Sequence, residues 1–177
     1  MVRKLFAFSV VFACLVTAAR PASAQFAPGY TGVGPTIGLG SIGSASVAIG
    51  GRFEHGIKPL PELGSGTLAF ELSVDYYSWN CGALGYTCSV KYIPFGATAN
   101  YHFKLDNEKI DPFLGLGLGY QTVSCSISGI ATCGYSSALY FIGRAGARYF
   151  FQPKMALYAD LGAGAATLNV GLMFTLK

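Results

Sequence analysis

Two histidines, a set of late cysteines and a scatter of charges of both signs are the residues of this chain with chemistry to offer. A histidine acts as a general base when a hydroxyl or thiol nucleophile and an orienting acid stand within hydrogen-bond reach. His55 and His102 are the only candidates. A barrel-type lipase or deacylase would carry a Ser two residues after its His, whereas His102 is followed by Phe103 and Lys104. His102 shares its strand phase with Thr98 and Asn100, which suits a structural residue facing inward. No catalytic residue is assigned on this pattern, and the chain is expected not to be an enzyme.

Gly38, Gly40 and Gly43 match the G-x-G-x-x-G spacing of a dinucleotide site, with Glu62 near the distance of a ribose-binding acid. That fingerprint has meaning only between a strand and a helix. The stretch 44–50 alternates and runs into Gly50 and Gly51, so no helix follows. The match reads as a glycine-rich turn, and no cofactor is expected. No Cys/His cluster has zinc spacing, so no metal site is expected either.

Cys81, Cys88, Cys125 and Cys133 form an even set, which in an exported protein implies two disulfides with three possible connectivities. Nearness along the chain favours Cys81–Cys88 and Cys125–Cys133, each closing one loop. A Cys88–Cys125 bond is the alternative, because the strands carrying those residues are expected to be neighbours.

The charged set is Arg52, Glu54, Glu71, Asp75, Arg144, Arg148 and Asp160, three positive and four negative groups on one strand phase. A lone charge in a narrow lumen is costly unless paired. Arg144 and Arg148 lie on one strand face, with Asp160 as favoured partner and Glu71 and Asp75 reached across the lumen. Gly115, Gly117, Gly119 and Gly146 share the inward phase and make room for the long Arg and Tyr side chains. The same groups would line an ion path if the lumen were open.

These residues must be positioned by strands. Leu68, Phe70, Leu72, Val74 and Tyr76 alternate with Ala69, Glu71, Ser73 and Asp75. Leu114, Leu116, Leu118 and Tyr120 alternate with glycines, and the same period of two recurs to residue 176. Glycines at such density disfavour helix. The pattern predicts strands near 33–40, 44–55, 67–79, 87–103, 110–125, 136–151, 154–162 and 166–176, with Pro94 at a bulge or strand edge. If both termini are periplasmic, the turns at 57–66, 104–109 and 152–153 face the periplasm. The loops at 80–86 and 126–135 and the turns near 41–43 and 163–165 then face outside. Tyr101, Phe103, Tyr149 and Phe151 flank the periplasmic turns as an aromatic girdle.

Composition supports a membrane setting. Charged residues are 11% of the chain, against about 25% in ordinary soluble domains. Past residue 24 no segment has the ~18 unbroken apolar residues of a membrane helix. Lipid tolerates only helices and closed barrels, and the non-apolar strand faces hold more Gly, Ala, Ser and Thr than a soluble barrel would show. Residues 1–24 read as a cleaved signal peptide: Arg3 and Lys4, an apolar run to Ala19, and Ala22-Ser23-Ala24 before Gln25. A lipobox reading around Cys14 fits less well, because Phe12 is bulky and Cys14 precedes the end of the apolar run. Arg3, Lys4 and Arg20 fall in that segment, which leaves nine Lys/Arg against eight Asp/Glu. No clustered basic face remains, which excludes a nucleic-acid partner.

The mature chain resembles the small outer-membrane β-barrel family that includes the OmpA transmembrane domain and the OmpX-like and opacity-type proteins. The likeness rests on Asp111-Pro112-Phe113 with the Leu/Gly alternation to Tyr120, on Gly146-Ala147-Arg148-Tyr149-Phe150-Phe151, and on the closing alternation to Phe174. It implies an all-β, eight-stranded antiparallel up-and-down transmembrane barrel over residues 25–177, in the bacterial outer membrane. It implies adhesive, protective or small-solute roles. The expected partners are outer-membrane lipid and lipopolysaccharide, the barrel-insertion machinery, and a host or surface ligand at the outer loops. Family chains often end on Phe; here Thr175, Leu176 and Lys177 follow Phe174, a departure that bears on insertion rather than on the barrel. The functional expectation is a non-enzymatic surface protein, with a pore for small or hydrophobic solutes as the alternative.

Overall fold

The computed structural model describes residues 26–82, 88–127 and 134–176. Residues 1–24, Gln25 and Cys133 lie outside them, so the signal peptide and one predicted cysteine partner are not described. Eight strands form one closed barrel, each antiparallel to its sequence neighbours. They are β1 Thr31–Leu39, β2 Ala48–Leu60, β3 Gly66–Asn80, β4 Cys88–His102, β5 Ile110–Ile127, β6 Ala138–Gln152, β7 Met155–Ala163 and β8 Leu168–Thr175. Among the described residues no helix is long and apolar enough to cross a membrane; the long elements are strands.

The alternation read from the sequence becomes two surfaces. Phe70, Leu72, Val74 and Tyr76 on β3, and Leu114, Leu116, Leu118 and Tyr120 on β5, point outward and are exposed, while Glu71, Ser73 and Asp75 point inward and are buried. Val33, Ile37, Phe53, Phe141, Leu157, Leu161, Val170 and Phe174 extend the apolar wall around the circumference. Monomeric soluble proteins rarely expose apolar patches beyond a few hundred Å², so a continuous wall of this kind fits an apolar surrounding medium.

Both termini leave the barrel at the same end as the short turns at 61–65, 103–109 and 153–154. That end is called terminal here, and the opposite mouth, where the described residues 40–47, 81–82, 134–137 and 164–167 lie, distal. The barrel closes through β1 and β8 with Gly32 opposite Thr175 and Leu39 opposite Leu168. The ladder lapses at Gly34 and Pro35. Pro35 has no N–H to donate, and a Cβ on Gly34 would collide with the Leu172 carbonyl. Glycine is what lets the two end strands approach.

Two local expectations are corrected. The second strand begins at Ala48 rather than residue 44 and continues to Leu60, past a register shift between Gly56 and Lys58. The segment 44–47 belongs to a turn in which Gly40, Ser41 and Gly43 all have positive φ and Ile42 is folded inward. Pro94 sits at neither bulge nor edge. Val74 pairs with Phe95 and Tyr77 with Tyr92 in one unbroken register, and the β3–β4 ladder simply skips the proline between them. A closed barrel offers no edge, so the missing donor is accommodated by a gap in the ladder.

Candidate functional site

The interior holds two layers of charge between two apolar closures. Nearest the terminal end, Arg148 on β6 is fully buried and pairs with Glu54 of β2 across the lumen. Its other terminal nitrogen lies 3.7 Å from Asp111, which the β5–β6 register sets directly opposite. His102 on β4 joins the two acids. Its Nδ1 is 2.8 Å from Asp111 Oδ1 and its Nε2 is 2.9 Å from Glu54 Oε1. Each ring nitrogen of His102 thus faces a carboxylate, and Arg148 reaches the same two acids from β6.

Asn100 links this layer to the next, donating to Glu54 at 2.7 Å and to Glu71 at 3.4 Å. In the second layer Arg52 donates to Asp75 at 2.9 Å and to Asn169 at 3.1 Å. Arg144 reaches Glu71 at 3.4 Å and Asp160 at 3.6 Å. Tyr158 donates to Asp160, and Asn169 donates to Asp160 at 2.8 Å. Arg52 and Arg144 thus face Glu71, Asp75 and Asp160.

All seven charged residues singled out from the sequence point into the lumen and are buried. Their pairing differs in one respect. Asp160 serves Arg144 but not Arg148, because the β6–β7 register places Tyr158, not Asp160, opposite Arg148. Arg148 turns instead to Glu54 and Asp111. Asp111, Asn100, Tyr158 and Asn169 went unassigned in the sequence. Phase alone would have found Asp111, which shares its inward face with Phe113, Gly115 and Gly119.

The inward glycines make room for a tyrosine at Gly119 and for Phe113 and Asn100 elsewhere, rather than for arginine. A Cβ on Gly119 would enter the Tyr140 ring, one on Gly146 the Phe113 ring, and one on Gly115 the Asn100 amide; Gly117 instead faces β4 backbone.

At the terminal mouth the segment before β1 folds back into the barrel as a strap. The Phe26 ring stacks on His102 with centroids 3.7 Å apart and planes 11° apart. Phe26, Tyr30 and Phe113 surround the Arg148 guanidinium at 5.0, 5.3 and 5.8 Å, a cation–π arrangement. Backbone bonds from Gly29 to Gly56 and from Gly56 to Tyr30 hold the strap against β2. A cleft of about 200 Å³ remains beside it, bordered by Pro28, Pro59, Thr67 and His102.

At the distal mouth Ile42, Ala48, Tyr77, Val90, Tyr92 and Ala166 form a second apolar cluster. Tyr77, Tyr92 and Trp79 stack with near-parallel rings, 5.1 Å between the first two and 5.4 Å between the last two. Tyr135 stands perpendicular to Trp79 and Tyr92 at 5.9 and 6.3 Å. Just beyond Trp79, Cys81 and Cys88 are joined by a disulfide. Cys125 is disulfide-bonded too, and its predicted partner, Cys133, lies outside the described residues.

Carboxylates face both ring nitrogens of His102, Asp111 at Nδ1 and Glu54 at Nε2. His55 faces outward at the terminal end, its Nδ1 2.9 Å from the Thr31 hydroxyl. Among the described residues no group of three or more His, Cys, Asp or Glu side chains could hold a metal ion. The glycine-spaced match at residues 38–43 forms the β1 end and the following turn, with no helix after it.

Comparisons with known proteins place this architecture. The fold is similar to the outer membrane protein OprG from Pseudomonas aeruginosa, with a TM-score of 0.58 and 11% identity over 88% of this chain and 99% of that one. It is similar to Ail, the attachment invasion locus protein of Yersinia pestis, with a TM-score of 0.54 and 13% identity over 82% and 93%. It is similar to Neisserial surface protein A, with a TM-score of 0.52 and 18% identity over 86% and 100%. No protein-family model and no curated sequence matches the chain. The chain therefore has the fold of the small eight-stranded outer-membrane barrels.

Proposed function

We propose that this chain is a non-conducting outer-membrane barrel whose distal mouth is its working surface. The observation that carries the reading is the filled lumen. Three buried arginines, five buried acids and His102 occupy it, with Phe26 and Tyr30 below and Ile42, Tyr77 and Tyr92 above. Eight-stranded barrels are only wide enough for side chains to fill. The distal segments are the longer ones, as extracellular loops are in such barrels, so the terminal end is assigned to the periplasm. Phe103 and Tyr149, exposed near that end, then sit where an aromatic girdle meets the membrane interface. The similarity to an attachment protein favours a surface role, with export through a signal peptide cleaved after Ala24 and no catalysis.

Planar-bilayer recording tests the reading. The refolded mature protein is expected to give no steady single-channel current. Large, stable currents carried by small ions would show the lumen to be open and would replace this reading by the pore.

A further inference from the structure

The charges of this chain are distributed unevenly along the barrel axis. Outside the lumen the terminal end carries Lys58, Glu62, Lys104, Asp106, Glu108, Lys109 and Lys154. The four distal segments at 40–47, 81–87, 128–137 and 164–167 carry none, and Lys91 is the one charged residue on the adjoining strand ends. Lys91 points outward from the wall, not toward the mouth. What the distal rim offers instead is aromatic rings and hydroxyls. Tyr135 is 46% exposed, Trp79 is half-buried against its edge, and Ser41, Ser44, Ser136, Ser137 and Thr167 lie on the segments at the same end of the barrel. Ser41 and Thr167 are already bonded to each other at 2.7 Å.

Those features select a chemistry. Arginine or lysine at the contact is the usual means of recognising a phosphate, sulfate or carboxylate, and the described residues of the rim carry neither. An apolar solute needs a way onward, and Ile42 and Tyr77 close the mouth below. A pyranose ring presents apolar C–H faces and neutral hydroxyl edges. The faces suit an aromatic platform, and the edges suit serine, threonine and backbone groups. The rings are also held ready. The Cys81–Cys88 disulfide ties together the strands bearing Trp79 and Tyr92, and Cys125 is covalently anchored on the next strand. Little ordering cost is left for binding.

We propose that the distal mouth recognises uncharged glycans, with Tyr135 and Trp79 as the stacking platform and the rim hydroxyls as hydrogen-bonding partners. The inference rests on the distal mouth being the outward face, and it names the class of ligand that face takes.

Trp79 is the only tryptophan in the chain, so its emission reports from within the site. The mature protein in detergent micelles is titrated with malto-, cello- and chito-hexaose, and separately with a fully sulfated oligosaccharide, at low and high salt. A saturable change in Trp79 emission with at least one neutral hexaose is expected, insensitive to salt. Tyr135→Ala is expected to weaken it about tenfold with an unchanged melting temperature, and Lys91→Gln to leave it unaltered. No response to any neutral hexaose would overturn the proposal. So would a salt-sensitive preference for the sulfated ligand, or binding indifferent to Tyr135→Ala. A silent bilayer combined with no glycan response removes this inference alone; a conducting bilayer removes the reading on which it rests.

Discussion

Arg148 shows what a buried charge requires of its neighbours. The side chain is entirely shielded from solvent, and Glu54, Asp111 and three aromatic rings enclose its head. Removing one member of such a pair strands the other, which costs more than removing both. Arg148→Met is expected to destabilise the barrel by about 3–5 kcal/mol. Adding Glu54→Gln should recover part of that loss, because the amide no longer carries an uncompensated charge. Thermal unfolding in detergent distinguishes the cases, and a double variant no more stable than Arg148→Met would contradict the pairing. The sequence made the identity of the inward charges legible through phase. It could not supply the partners, because which acid an arginine meets depends on register and on what lies across a closed lumen. Asp111 and Asp160 are both acids on strands flanking β6, and only the alignments of Asp111 with Arg148 and of Asp160 with Gly146 separate their roles.

At the scale of the element, strands with a strict alternation were the most readable. The apolar and small faces of β3 and β5 lie where their pattern puts them. The start of β2 was not readable, since the stretch 44–47 alternates as well as any strand. What removes it from the ladder is the burial of Ile42 against Tyr77, Val90 and Tyr92, a tertiary contact with no local signature. The β1–β8 seam is another feature visible only in three dimensions. Gly34→Val would drive a side chain into the Leu172 carbonyl and is expected to cost about 3 kcal/mol or more, as forced overpacking does. Gly51→Ala, whose Cβ would meet only the Gly34 carbonyl at 3.7 Å, should stay within about 0.5 kcal/mol. Refolding yield in detergent, compared side by side, checks the contrast; equal yields would mean that the seam tolerates side chains after all.

For the whole molecule the decisive property is closure. Every strand has two hydrogen-bonded neighbours, so there is no free edge from which detergent can peel the sheet. The mature protein is expected to migrate at different positions on a denaturing gel before and after boiling. A single band under both conditions, with the protein recovered as a detergent-free soluble monomer, would be incompatible with the membrane reading. The eight-stranded closure and its apolar wall were legible because periodicity and charge depletion are properties of the entire chain. The contents of the two mouths were not, since Ile42, Ala166, Phe26 and Tyr30 lie outside the strands and fold inward onto strand residues that only the closed barrel brings together.

That segment carries a consequence for the order of events in assembly. The seat of Phe26 and Tyr30 is built from Ala69 on β3, Phe113 on β5, Phe150 on β6, Ala156 and Tyr158 on β7 and Met173 on β8. No pair of neighbouring strands makes it, and strands from both sides of the β1–β8 seam contribute. Phe26 and Tyr30 are consequently among the last residues to find their place. The N-terminal strap works as a latch that can drop only once the ring is complete.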